Sequence, residues 1–259
     1  MLIAVVNSNR EMQEVYFDLS KTYDTYLINE FSDFDKLTIP DVLVLPIKGM
    51  NDKGYIKGKQ GMIQLDEAFY QQLNDTMIFA GVHHPFLKQL SYPIHYYLED
   101  KEVIERNAVF TSEGVLFLLI DNSQLSLLEQ KIDIIGYGAC GKAIYDLLKA
   151  LKVQVRVIRR IVEEGQEDMV SIQQWRNMEC GDVIINTAPA PIINRELMLH
   201  FSKKPLIIDI ASGNQIDEKM ALLYGIRLIK AESLPAMFTS VSAGRLIGEY
   251  IRGKIDAEA

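Results

Sequence analysis

The stretch 133–160, DIIGYGACGKAIYDLLKALKVQVRVIRR, decides how this chain is read. An apolar run ends at Ile135, three glycines follow in the spacing G-x-G-x-x-G at Gly136, Gly138 and Gly141, and an amphipathic segment succeeds them. A second apolar run then closes on Arg159 and Arg160. Strand, glycine turn, helix and strand in this order predict a parallel βαβ unit of the Rossmann type. In such a unit the first glycine permits the tight turn, the second lets a pyrophosphate approach the backbone, and the third lets the helix pack on the strand. The helix N-terminus adds unpaired N–H groups and a partial positive charge. Gly136, Tyr137, Gly138, Ala139, Cys140 and Gly141 are therefore the first candidates for contact with a dinucleotide. The alternative is a tight turn whose glycines serve packing alone.

The end of the second strand bears on which dinucleotide. A chain that binds NAD usually carries Asp or Glu there to accept hydrogen bonds from the ribose 2′-OH. Arg159 and Arg160 stand in its place, and guanidinium groups can clamp a 2′-phosphate bidentately. NADP(H) is favoured, with NAD(H) the alternative. Glu163 and Glu164 follow closely and could pair with these arginines instead. Cys140 lies where a helix N-terminus lowers a thiol pKa, yet the turn asks for a small residue on steric grounds. Two later strand ends should converge on the same crevice: Asn186, Thr187, Ala188 and Pro189 in INTAPAPIIN (185–194), and Asp209 and Ala211 in IIDIASG (207–213).

Composition bounds the rest. At 259 residues, 48% hydrophobic and 24% charged, the chain can form two globular domains with their own cores. With 27 Lys and Arg against 35 Asp and Glu, the net charge of −8 disfavours a nucleic-acid partner. Cys140 and Cys180 are the only cysteines, which gives neither a disulfide framework nor a metal cluster; no metal is expected, and a reducing cytoplasm fits best. The N-terminus reads as a first strand rather than a signal peptide, and the apolar runs fall well short of the roughly 20 residues of a membrane span.

Along the chain, apolar runs at 2–6, 25–28, 41–46 and 76–81 alternate with helical patterns, the first at 10–20. A loop or hairpin at 48–61 interrupts them. A second series runs from 132 to 231, with strands at 132–136, 153–158, 182–187, 205–210 and 226–231 and helices between. The fold class is α/β: an N-terminal flavodoxin-like, doubly wound parallel sheet over 1–121, and an NAD(P)-binding Rossmann domain over 122–234. Helices bridge them. One is expected to start near Ser112, with Ser112 as cap and Glu113 in its first turn; the other is a C-terminal helix over 235–253 that packs back.

The serial order of RNAVFTSEGVLFLLI (106–120), GYGACG (136–141), INTAP (185–189), LIIDIAS (206–212) and GIRLIKAESLPAMFTSVSAGRLI (225–247) resembles the family of the dipicolinate synthase A subunit. The resemblance covers most of the chain and is strongest after residue 104. It implies oxidation of dihydrodipicolinate to dipicolinate with a nicotinamide cofactor during sporulation, beside a flavoprotein-like B subunit. By analogy with such enzymes a homo-oligomer is expected. The chain departs from the family at Asn7, Ser8 and Asn9, where a glycine-rich turn is usual, and at 233–241, where a Pro-Lys pair is replaced by Ser240 and Val241. Those departures leave open a relative acting on another small carboxylic acid. A catalytically weak scaffold or regulatory subunit that binds NADP is the alternative from another class.

Aromatising a dihydropyridine dicarboxylate needs hydride loss and proton loss, so the site must orient two carboxylates and offer a modest base. Lys48, Arg106, Thr111 and Ser112 are the candidates for holding the carboxylates, helped by backbone N–H groups at the helix start expected near 112. His83, with His84 beside it, and Glu113 are the candidate bases.

Overall fold

The computed structural model describes residues 1–30, 39–48, 50–73, 75–90, 92–163, 165–213 and 215–258. The chain divides into two units, Met1–Asn107 with Pro235–Ala259, and Ala108–Leu234.

The first unit holds a five-stranded sheet built from β1 (Leu2–Val6), β2 (Asp24–Ile28), β3 (Val42–Val44), β6 (Met77–Ala80) and β7 (Ile94–Tyr96). All pairings are parallel, in the order β2-β1-β3-β6-β7. Counted along the sheet, this is the flavodoxin-like order 2-1-3-4-5. Between β3 and β6 the chain makes an antiparallel hairpin, β4 (Tyr55–Lys57) with β5 (Met62–Gln64), and the short helix α2 (Glu67–Tyr70). The hairpin expected at 48–61 thus lies a few residues later. Helix α1 (Arg10–Leu19) starts on Asn9, whose side chain accepts the Met12 N–H at 2.9 Å. The short helix α3 (Pro85–Gln89) and β7 gave no periodic signal, being too brief to show one.

The second unit holds a six-stranded parallel sheet: β8 (Lys131–Ile135), β9 (Gln154–Arg159), β10 (Met169–Ser171), β11 (Val183–Asn186), β12 (Leu206–Asp209) and β13 (Arg227–Lys230). Its order β10-β9-β8-β11-β12-β13 is the Rossmann order 3-2-1-4-5-6. Helices α5 (Ala139–Ala150), α6 (Ile172–Trp175), α7 (Arg195–His200) and α8 (Glu218–Leu223) connect the strands. Strands covered on both faces read as unbroken apolar runs, which is why Ile132, Ile134 and Ile135 are all buried. Asp133 interrupts that run at 1% exposure. Its carboxylate accepts two bonds from Arg156 at 2.8 Å, one from Trp175 Nε1 at 2.7 Å and one from the Gly181 N–H at 2.8 Å.

Two expectations about helices are corrected. Helix α4 runs over Lys101–Asn122, so Ser112 is interior rather than a cap. The N-terminus is set by Asp100, whose carboxylate accepts the Glu102 and Val103 N–H groups at 3.0 and 3.2 Å. The backbone donors expected at 112 are therefore engaged in the helix's own i to i−4 ladder. The C-terminal segment is two helices, α9 (Leu234–Phe238) and α10 (Ser240–Glu258), broken at Thr239.

Helix α10 belongs to the first unit and lies close against α1. A Cβ on Gly244 would stand 2.8 Å from the Glu11 carbonyl oxygen, and one on Gly248 would collide with the Asp18 carboxylate. Arg252 reaches that carboxylate at 2.5 Å. The close approach places Ile247, Ile251 and Ile255 in one cluster with Ile3, Val5 and Val15. Among the described residues, no helix is long and apolar enough to cross a membrane.

Candidate functional site

In the second unit β8 and β11 are neighbours, with Ile135 opposite Asn186, and between them the strand order reverses. Ligands of open α/β sheets bind at the carboxyl ends of strands at such a point. The glycine loop leaves β8 there. Gly136 donates its N–H to the Ile158 carbonyl at 2.8 Å and takes φ +98°, a left-handed conformation that favours glycine. Thr187 locks the loop from the other side, its N–H and Oγ1 both donating to the Ile135 carbonyl at 2.9 Å.

The three glycines do different things. A Cβ on Gly136 would press on Thr187 Oγ1, and one on Gly141 would collide with the Gly136 carbonyl oxygen. A Cβ on Gly138 would meet nothing within 4 Å. The first and third are thus required by packing, whereas the second leaves the backbone open on its solvent side. The Ala139, Cys140 and Gly141 amides open α5, where the helix itself offers no acceptor, and the cap Gly138 supplies no side-chain bond. A dinucleotide pyrophosphate fits this donor set. Cys140 is half-buried, and burial pushes its thiol up despite a hydrogen bond with Thr111. The residue fills the turn as a small side chain.

Arg159 ends β9 with its Cζ 5.5 Å from the centre of the Tyr137 ring. Arg160 follows, exposed. Tyr137 in turn meets Tyr145 edge-on at 5.9 Å, and the Tyr145 hydroxyl donates to Asp168 at 2.9 Å. Glu163, offered as a pairing partner for the arginines, is exposed with its N–H bonded to Gln166 Oε1; Glu164 lies outside the described residues. At the end of β11, buried Asn186 donates to Asp209 Oδ1 at 2.9 Å, and the Ala211 N–H reaches the same oxygen at 3.2 Å. Burial raises the Asp209 carboxyl, and the bonds from Asn186 and Ala211 oppose that rise. Asn186 Oδ1 accepts the Ala188 N–H at 3.3 Å, and Pro189 follows on the surface. The fold of this unit thus brings the glycine loop, Arg159, Asn186, Thr187 and Asp209 to one sheet edge.

The remaining candidates divide between the units. Thr111 and Ser112 are 7% and 3% exposed, and the Ser112 hydroxyl donates to the Val109 carbonyl at 2.7 Å. Their hydroxyls thus have partners inside the chain, and the helix-start N–H groups expected to assist them lie in mid-helix. Glu113 is exposed in mid-helix. In the first unit, Arg106 Nη1 pairs with Glu249 at 2.7 Å and with Glu102 at 3.5 Å. Lys48 is exposed, past the end of β3. His83 Nε2 lies 2.5 Å from Glu99 Oε1, with the ring 3.8 Å from that of Tyr96.

One group of the first unit escaped the sequence reading, and another, His84, has a structural role that it did not assign. Glu11 is 2% exposed, and burial pushes its carboxyl up to about 7; nothing in a helical REMQEV pattern marks a carboxylate as buried. His84 caps α3, its Nδ1 accepting the Phe86 N–H at 3.2 Å. The dipeptide His84-Pro85 was the available signal, since proline is favoured at the first helical position.

Residues 119–227 match the sequence family described as D-isomer specific 2-hydroxyacid dehydrogenase, NAD binding domain. With the two parallel sheets, this defines a two-domain fold like that of the D-2-hydroxyacid dehydrogenases. More particularly, the chain is similar to the A subunit of dipicolinate synthase of Bacillus subtilis (strain 168), 22% identical over 278 residues that cover 96% of this chain and 94% of that one. The crystal structure of that enzyme's A chain from Bacillus subtilis superimposes with a TM-score of 0.85 at 21% identity, over 100% of this chain and 98% of that one. The crystal structure of the corresponding Bacillus halodurans protein gives 0.84 at 20% identity, over 97% and 96%.

Proposed function

We propose that the protein is a nicotinamide-dependent oxidoreductase that converts dihydrodipicolinate to dipicolinate, as the resemblance to the A subunit of dipicolinate synthase suggests. The observation that carries the cofactor half of this reading is the glycine loop, where Gly136 and Gly141 are closed by packing and Gly138 is open. The substrate half rests on similarity that runs through both units.

When bound, the nicotinamide supplies the hydride acceptor. The chain's own residues do the rest. Amides of residues 139–141 hold the pyrophosphate at the start of α5. Arg159 and Arg160 hold a 2′-phosphate, which favours NADP(H) over NAD(H); the Tyr137 ring under Arg159 keeps that guanidinium at the strand end. Asn186 and Thr187 line the crevice beside the ribose. The ring proton released on aromatisation passes to His83, whose Nε2 lies 2.5 Å from Glu99 Oε1, or to Glu113. Lys48 and Arg106 are proposed to hold carboxylates. A homo-oligomeric state and a flavoprotein-like B subunit complete the reading.

Absorbance of the reduced nicotinamide tests it. Purified protein with freshly generated dihydrodipicolinate and NADP should produce reduced cofactor in step with dipicolinate. Tight cofactor binding without turnover, with and without the B subunit, would assign the protein to the scaffold class instead.

A further inference from the structure

In the first unit, a pocket of about 230 Å³ lies between the carboxyl ends of two adjacent strands, β3 and β6. Leu45, Ala80 and Leu87 form its floor and belong to the unit's buried core, with Met50 packed against them. Lys48 and His84 stand among its lining. The two segments that make its wall are pressed together: a Cβ on Gly81 would stand 2.5 Å from the Ile47 Cα. The cavity is thus fixed by the core beneath it and by backbone contact at its side.

We propose that this pocket binds a small organic acid with an apolar body, its carboxylate held by His84 and Lys48. The inference deepens the function proposed above and rests on it for the identity of the acid. Three features of the site lead to this chemistry. The floor is aliphatic, which suits the face of a ring rather than a hydrated inorganic anion. Among the described residues, the polar side chains of the lining are Lys48, a cation, and His84, which has a donor to offer. The volume is below the roughly 300–1,000 Å³ of pockets for drug-sized ligands, which limits the occupant to about one ring with its substituents.

His84, rather than His83, is the histidine assigned to this site. Its Nδ1 accepts the Phe86 N–H at 3.2 Å, so in the neutral ring the proton resides on Nε2 and that edge is a donor. The bond to the α3 backbone also fixes the ring plane. His83 is bound elsewhere, to Glu99 and over Tyr96, and does not line the pocket. The two neighbours therefore have separate tasks: His84 positions the acid, and His83 remains the candidate base.

The experiment follows the side-chain nitrogens of the four histidines by NMR while dipicolinate, benzoate or inorganic phosphate is added, with and without NADP. Dipicolinate and benzoate should move the His84 resonances, phosphate should not, and free His84 should show the Nε2–H tautomer. His84→Asn keeps a cap for the Phe86 N–H but shortens the reach, so it should fold normally and weaken dipicolinate at least tenfold. Lys48→Met should do likewise, with partial recovery in Lys48→Arg. An unmoved His84, or His84→Asn binding within twofold of wild type, overturns the proposal. Cofactor titration by fluorescence is read separately. Failure of NADP and NAD to bind overturns the dehydrogenase reading while a dipicolinate response at His84 stands, and the reverse result overturns only the pocket.

Discussion

Asn186 Nδ2 lies 2.9 Å from Asp209 Oδ1, joining the carboxyl ends of two adjacent strands through buried side chains. Removing the donor leaves the Asp209 carboxylate with the Ala211 N–H as its remaining bond to Oδ1. Asn186→Ala should therefore destabilise the protein by about 1–3 kcal/mol and raise the Asp209 carboxyl further. Urea unfolding reads the first effect and carbon-13 NMR titration of the aspartates the second; unchanged stability would show that the pair contributes nothing.

The glycine loop separates stability from binding. Gly141→Ala forces a side chain onto the Gly136 carbonyl and should cost about 1–3 kcal/mol. Gly138→Asp meets no neighbour and provides a favourable N-cap, so the melting temperature should hold or rise. Its carboxylate would stand where the pyrophosphate is proposed, so nicotinamide cofactor affinity should fall at least tenfold by fluorescence titration.

The 2′-phosphate role proposed for the arginine pair is tested by removing both guanidinium groups. Arg159→Ala with Arg160→Ala should weaken NADP(H) at least tenfold while NAD(H) affinity changes less than threefold. Equal losses in isothermal titration would remove the 2′-phosphate assignment.

Glu11 makes stability depend on pH. Its carboxyl is raised from 4.5 to about 7 by burial, beside the buried Tyr97. Below pH 4.5 both folded and unfolded chains carry the proton; between 4.5 and 7 the folded chain retains it and the unfolded chain releases it. The folded state then binds more protons, so stability falls as pH rises through that window, by on the order of 3 kcal/mol, and is flat above it. In Glu11→Gln this contribution is missing. Chemical unfolding across the window should show the variant gaining on wild type as pH rises; parallel curves would place Glu11 in contact with water.

Much of the second unit was legible because a buried parallel strand is an unbroken apolar run, and because G-x-G-x-x-G joins a strand to a helix only in a narrow geometry. The loop residues and Asn186, Thr187 and Asp209 follow from strand ends alone. Helix α4 was misread at its start because Ser112-Glu113 looks like a cap, whereas the operating cap is Asp100, hidden in the polar run before it. Local sequence also says nothing about which of two adjacent histidines faces a cavity. That depends on where Leu45, Ala80 and Leu87 are brought from three separate segments.

The contribution of α10 to the first unit has a consequence for how the protein is made. Ile247, Ile251 and Ile255 complete a cluster begun by Ile3 and Val5 of β1 and Met12, Val15 and Leu19 of α1, so that cluster stays unfinished until the segment carrying α10 has been synthesised. The segment from Ala108 to Leu234 is uninterrupted and can close first. A nascent chain stalled near residue 240 would therefore present the flank of α1 against which Gly244 and Gly248 otherwise press.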